Sequence, residues 1–173
     1  IRGILGKDLT PDIAAAIGMA LGTYDPGRFI VGGDIRTSTP VIKQALTTGL
    51  AATGCDVIDI GIVPIGAAIY ACWTRKASTA YVTASHLPPE WNGIKFFRED
   101  GTVFGPEEEN KIKEEIPNPL SYADWRRLKE CSLCDEGIGY YLEDLLELVS
   151  LGNRRLKVVV DAGGGTATVV VPK

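Results

Sequence analysis

The stretch Tyr81-Val-Thr-Ala-Ser85-His86-Leu-Pro-Pro89-Glu-Trp-Asn92-Gly-Ile-Lys95-Phe-Phe97 interrupts an apolar run with a serine, the only histidine of the chain and two prolines. Three chemistries could use the Ser85 hydroxyl. Acyl transfer needs a base hydrogen-bonded to the hydroxyl and an acid that orients the base. His86 is the sole candidate base, but as an immediate neighbour its ring would face away from the serine side chain, and no G-x-S-x-G elbow surrounds the position. Nucleotide binding would draw on Gly32-Gly-Asp34 or Gly163-Gly-Gly-Thr166, neither of which completes a dinucleotide or P-loop fingerprint. Carrying a phosphoryl group asks for cations to balance a dianion and donors near the transferring oxygens. Arg2, Arg36, His86 and Lys95 are the candidate suppliers. A tight connector stiffened by Pro88 and Pro89 would account for the same spacing without any chemistry.

A hydroxyl can act only if surrounding elements carry it to a cleft. Thr10-Pro11 is a cap followed by proline at the first helical position, and Ile13, Ile17 and Leu21 continue one helical face. Arg28-Phe-Ile-Val-Gly-Gly-Asp34 reads as a buried strand running into a loop. Ser38-Thr39-Pro40 repeats the helix start, with Ile42, Ala45, Leu46 and Leu50 on its face and a stop at Gly54. A strand at 55–60, a helix from Pro64 to about Arg75 and a strand at 78–83 follow. This βαβ alternation predicts an α/β fold with a mainly parallel sheet between helices. Ile94–Phe97 and Thr102–Phe104 flank Asp100-Gly101, which predicts an antiparallel hairpin edge and hence a mixed sheet. Pro106-Glu-Glu-Glu109 opens another helix with acids at its positive end, so the three glutamates read as a helix start rather than a metal site. Residues 116–136 read as loop with one short helical piece, and Ile138, Tyr141, Leu142, Leu145, Leu146 and Val149 as an amphipathic helix.

Ser85 directly follows the third strand of this pattern. Ligands of parallel sheets gather beyond the carboxyl ends of the strands, so Ser85 and the Gly32–Ser38 loop should open on one rim. Leu156-Lys-Val-Val-Val160 followed by Asp161-Ala-Gly-Gly-Gly165 looks like a new strand and turn. We therefore expect residues 1–153 to form the serine-bearing domain and 154–173 the first strand and turn of a second α/β domain, cut short. The chain opens at Ile1 without methionine, so both ends are expected to be truncated.

Composition removes several function classes. The 173 residues carry a net charge of -4, with 45% hydrophobic and 23% charged residues, and no basic tract for a polyanion. No apolar run reaches the roughly 18 residues a membrane helix needs, and no signal sequence opens the chain. A cytoplasmic protein without nucleic-acid or membrane partners is expected. Of the four cysteines only Cys131-Ser-Leu-Cys134 has metal or redox spacing, and no second pair or nearby histidine completes a site. Ordinary thiols, a local disulfide or a redox pair remain open there.

Thr83-Ala-Ser85-His86 followed by Pro88-Pro-Glu-Trp-Asn92-Gly-Ile-Lys95-Phe96 resembles the active-site serine loop of the α-D-phosphohexomutases. Ile1-Arg2-Gly3, Val31-Gly-Gly-Asp34-Ile-Arg36-Thr-Ser38-Thr-Pro40 and Val158-Val-Val-Asp161 resemble further signatures of that family, in the family's order. The resemblance implies that Ser85 carries a phosphoryl group, giving it to a hexose monophosphate and taking one back from a bisphosphate intermediate. It implies that Arg2 and Lys95 line the reaction centre and handle charge and protons, and that His86 supports the phosphoserine. Arg36 and Asn92 fall in the expected phosphate environment. Mg2+ is the implied cofactor, held in part through the phosphate on Ser85, its carboxylates coming from a run of alternating Asp and Gly that this sequence lacks. The expected activity is interconversion of hexose 1- and 6-phosphates of the phosphomannomutase/phosphoglucomutase type, this chain alone being inactive. Phosphoglucosamine mutase and a non-catalytic binding or assembly module are the alternatives, and homo-oligomerisation is left open. Leu87 stands where the family usually has asparagine, and Gly33 where arginine is common.

Overall fold

The computed structural model describes residues 1–116, 122–134, 137–150, 152, 155 and 157–171. In chain order the elements are β1 (Arg2–Ile4), α1 (Pro11–Tyr24), β2 (Arg28–Gly33), α2 (Thr39–Ala52), β3 (Asp56–Ile62), α3 (Ile65–Arg75), β4 (Ser78–Val82), β5 (Trp91–Phe97), α4 (Pro106–Glu115), β6 (Cys131–Leu133) and α5 (Gly137–Leu148), with a 3-10 turn at Thr166–Val169. One sheet holds the strands in the order β1-β5-β4-β2-β3-β6. β4, β2, β3 and β6 are parallel, and β5 and β1 are antiparallel to their neighbours, giving the mixed, mainly parallel sheet the βαβ pattern predicts.

β2 is apolar on both sides because helices cover both. Phe29 and Val31 share a core with Ile17 and Leu21 of α1, Leu46 of α2 and Ile112 of α4. Ile30, pointing the other way, packs with Ala67, Ala68 and Ala71 of α3. Each fully buried side chain of that size contributes about 1.5–3 kcal/mol of transfer free energy. α1 and α2 touch backbone to backbone: a Cβ on Gly18 would lie 2.3 Å from the Leu46 carbonyl oxygen, and one on Gly49 2.0 Å from that of Ala15.

The winding places the site. From β2 the chain crosses over α2 to β3, then returns over α3 on the opposite face to β4, on the far side of β2. The loops leaving the carboxyl ends of the adjacent strands β2 and β4 therefore meet where the winding direction reverses, the crevice in which open α/β sheets bind ligands.

Several expectations change. Thr102–Phe104 makes no strand and closes on β5 through a single bridge, Phe97 to Val103, since α4 starts at Pro106 and leaves no room for a ladder. The antiparallel hairpin is β4–β5 itself, with the serine loop as its connection. The edge is β1, whose Arg2, Gly3 and Ile4 pair with Gly93, Asn92 and Trp91. Within the segment expected as loop, Cys131–Leu133 adds β6 to β3, held by backbone pairing while its side chains stay exposed. Residues 117–121 and 135–136 of that segment lie outside the described residues. Cys131 and Cys134 are free thiols.

The strand expected at 156–160 is not formed over its described part. Lys157–Val160 pair with no strand, and Val159 is 97% exposed. A strand exists only as part of a ladder. Leu156 and the expected boundary between residues 153 and 154 lie outside the described residues. Among the described residues no helix is long and apolar enough to cross a membrane.

Candidate active site

Ser85 sits in the connection from β4 to β5, exposed, with φ at 60°. A Cβ in this left-handed region costs about 1–2 kcal/mol, because it crowds the following carbonyl oxygen. Such a conformation persists only where its surroundings impose it. Here they do so in a chain of hydrogen bonds. The Ser85 N–H donates to Thr83 Oγ1 at 2.9 Å, and the Thr83 hydroxyl donates to Asp34 Oδ2 at 2.7 Å. Asp34 Oδ1 accepts the Thr39 hydroxyl at 2.7 Å and the Arg36 amide at 3.1 Å.

Arg36 reaches across from the β2 loop and is fully engaged. Its Nε donates to Asp34 Oδ2, Nη1 to the carbonyls of Pro88 (2.7 Å) and Trp91 (3.1 Å), and Nη2 to those of Ser85 (2.9 Å) and Leu87 (2.6 Å). A guanidinium has five N–H donors, and all five are used. Arg36 thus has no donor left for the phosphate environment in which the sequence placed it. Arg36 nonetheless borders the space beside Ser85, whereas Asn92 does not face it. It is fully buried, donating to Ser38 Oγ at 2.8 Å and Thr39 Oγ1 at 3.3 Å while its carbonyl accepts the Gly93 N–H, so it ties β5 to the start of α2.

A cavity of about 680 Å³ opens beside Ser85, lined among others by Asp34, Tyr81, Lys95 and the glycine turn Gly163–Gly165. Lys95 pairs with Tyr81 across β5 and β4, and among the described residues its ammonium group has neither an ion-pair nor a hydrogen-bond partner. Tyr81 is buried with its hydroxyl donating to the Val63 carbonyl at 2.6 Å. Burial, and then the negative charge of Asp34, push its phenol well above the usual range, so it stays neutral. Arg2 pairs with Gly93, two residues before Lys95, and so shares a sheet face with it. Arg2 and Lys95 together border an adjoining hollow of about 480 Å³ that also takes in Glu109 and Lys113. Ile65 and Lys95 border both spaces, and Lys95 is the charged one of the two. His86 is exposed and outside the cavity lining.

Both departures from the family pattern have local accounts. A Cβ on Gly33 would lie 2.4 Å from the Thr39 methyl group, so a side chain there is incompatible with the threonine that donates to Asp34. At Leu87 Arg36 binds the main-chain carbonyl, a bond that does not depend on the side chain there. Asp34 and Thr83 were not singled out in the sequence as site residues. Their only sequence signal is a carboxylate at one strand end and a threonine at another, 49 positions apart.

The residues present do not by themselves fit Mg2+. Among the described residues no group of three or more His, Cys, Asp or Glu side chains could hold a metal ion. Asp34, the one carboxylate lining the cavity among them, already accepts four hydrogen bonds.

The chain is thus an α/β domain that presents a strained, externally braced serine at its sheet rim, beside a lysine unpaired among the described residues. Residues 1–123 match the family described as phosphoglucomutase/phosphomannomutase, alpha/beta/alpha domain I, and the chain belongs to that phosphohexomutase family of isomerases. A Methanopyrus kandleri protein named "probable phosphoglucosamine mutase" is 38% identical over 99% of this chain and 38% of its own length. A Thermococcus kodakarensis phosphopentomutase is likewise 38% identical over 99% of this chain and 38% of its own. The crystal structure of a phosphoglucomutase/phosphomannomutase family protein from Burkholderia thailandensis superposes with a TM-score of 0.82 at 31% identity, covering 94% of this chain and 37% of that one. The chain thus spans little more than a third of the length of these relatives.

Proposed function

We propose that this chain is the phosphoserine-bearing part of a sugar-phosphate mutase, with Ser85 as the phosphoryl carrier. The observation that carries the reading is Ser85 itself: a non-glycine residue held in the left-handed region at the mouth of a cavity, where Lys95 offers an unpaired cation. Ser85 Oγ would pass its phosphoryl group to a hydroxyl of the sugar monophosphate. The resulting bisphosphate would reorient and return its other phosphoryl group to Oγ, so that phosphate moves between the 1- and 6-positions. The transferring group spreads negative charge over its equatorial oxygens, and a fixed ammonium there stabilises it. Lys95 supplies that charge, and with Arg2 in the adjoining hollow takes part in proton and charge handling. A phosphate on Ser85 would offer one ligand to Mg2+, and no step here runs through the ion.

The names of the relatives favour an amino-sugar phosphate, glucosamine 1- and 6-phosphate, over glucose or mannose phosphates within this reading. The test uses the full-length protein. Phosphopeptide mapping should find phosphate on Ser85, and mutase assays with glucosamine, glucose, mannose and ribose phosphates rank the substrates. Phosphate confined to another residue, or near-normal turnover by Ser85→Ala, would sink the proposal and favour a non-catalytic module.

A further inference from the structure

We propose that Arg36, fixed by Asp34, is the positioning residue of the serine loop: its guanidinium holds the main chain of residues 85–91 in the conformation that presents Ser85 to the cavity. This rests on the reading of Ser85 as phosphoryl carrier and adds to it how the carrier is aimed. Four carbonyls, those of Ser85, Leu87, Pro88 and Trp91, converge on one guanidinium. Carbonyl dipoles pointing at a common centre repel each other unless a cation with matching donors occupies it. The loop supplies few of those donors itself, because Pro88 and Pro89 have no N–H. Within the loop only Leu87 N–H to Ala84 and Trp91 N–H to Pro88 close on backbone carbonyls.

Arginine is suited to this where lysine is not. The planar fork spreads five donors over fixed directions, whereas an ammonium concentrates three at a point. Asp34 takes the Nε–H and sets the plane of the fork, and through the Thr83 hydroxyl it reaches the Ser85 amide on the other flank. The same carboxylate offsets the guanidinium charge, with which it forms an ion pair at 3.3 Å. The clasp therefore adds no free cation to the cavity, and Lys95 is left as the charge that meets a phosphate.

The experiment compares the full-length protein with its Arg36→Lys and Arg36→Ala variants by hydrogen exchange, phosphate occupancy of Ser85, and steady-state kinetics. We expect the amides of Ser85, Leu87 and Trp91 to exchange about tenfold faster or more in both variants, with those of Ile30 and Ala80 in the central strands unchanged. The kcat should fall about 100-fold, the scale of a reacting group misplaced by about 1 Å, while KM for the sugar phosphate stays within about threefold. Millimolar guanidinium should restore part of kcat to Arg36→Ala, which a loss of general stability would not allow. Unchanged exchange at the three loop amides, or a rise in KM alone with kcat preserved, would overturn the proposal. If Arg36→Ala fails to fold, Arg36→Lys decides by the same readouts. Absence of phosphate on Ser85 in the unsubstituted protein would remove the carrier reading instead, and loop exchange would still decide the clasp.

Discussion

Replacing Ser85 by glycine should abolish phosphoryl carriage and raise the stability of the fold. Ser85 stands at φ 60°, where a Cβ costs about 1–2 kcal/mol. Glycine removes that cost, but its greater freedom in the unfolded chain takes back about 0.5–1 kcal/mol. The hydroxyl is exposed and supports no packing, so its own loss weighs little. Ser85→Ala deletes the hydroxyl and keeps the strain, and is therefore the proper reference. We expect Ser85→Gly to exceed Ser85→Ala by about 0.8 kcal/mol, the difference between the midpoints of those two ranges. In a domain of this size that is a rise in Tm of about 2–3 °C. Scanning calorimetry of both variants side by side reads the difference, and mutase assays should find both inactive. A glycine variant that melts at or below the alanine variant would refute the claim that the loop stores backbone strain at its nucleophile.

Lys95→Ala should depress turnover by orders of magnitude while phosphopeptide mapping still finds phosphate on Ser85, because the lysine handles charge and does not carry the group; loss of the phosphate itself would contradict this. Gly33→Ala should destabilise the fold by about 1–3 kcal/mol through collision with the Thr39 methyl group, and adding Thr39→Ser, which removes that methyl, should recover much of the loss in urea titrations. Additive effects would rule the contact out as the cause. Burial raises the Tyr81 phenol above its unfolded value of 10.0, so its contribution to stability is complete below about pH 10 and is lost as pH rises through the folded value. The urea midpoint of the unsubstituted protein should therefore fall more steeply between about pH 10 and about pH 12 than that of Tyr81→Phe, and parallel slopes would count against it.

Helix starts, the buried strands and the serine loop were legible because their causes are local. Proline after a capping residue marks the first turns of α1 and α2, and the apolar run of β2 announces a strand covered on both faces. The βαβ alternation then constrains topology strongly enough to put Ser85 on the sheet rim. β1 and β6 were missed because each is three residues long and owes its state to a partner strand, not to its own periodicity. The roles of Arg36 and Asn92 escaped for the same reason. Side-chain type says that an arginine near a serine can bind phosphate, but only the folded chain decides which acceptors reach it first. Here four loop carbonyls and Asp34 do, from positions up to 55 residues away in sequence. The sequence by itself determined which chemistry was available, since that follows from functional groups and spacing. The tertiary structure alone decided which groups are spent on holding the loop and which, like Lys95, remain free, because hydrogen-bond donors are satisfied by proximity in space.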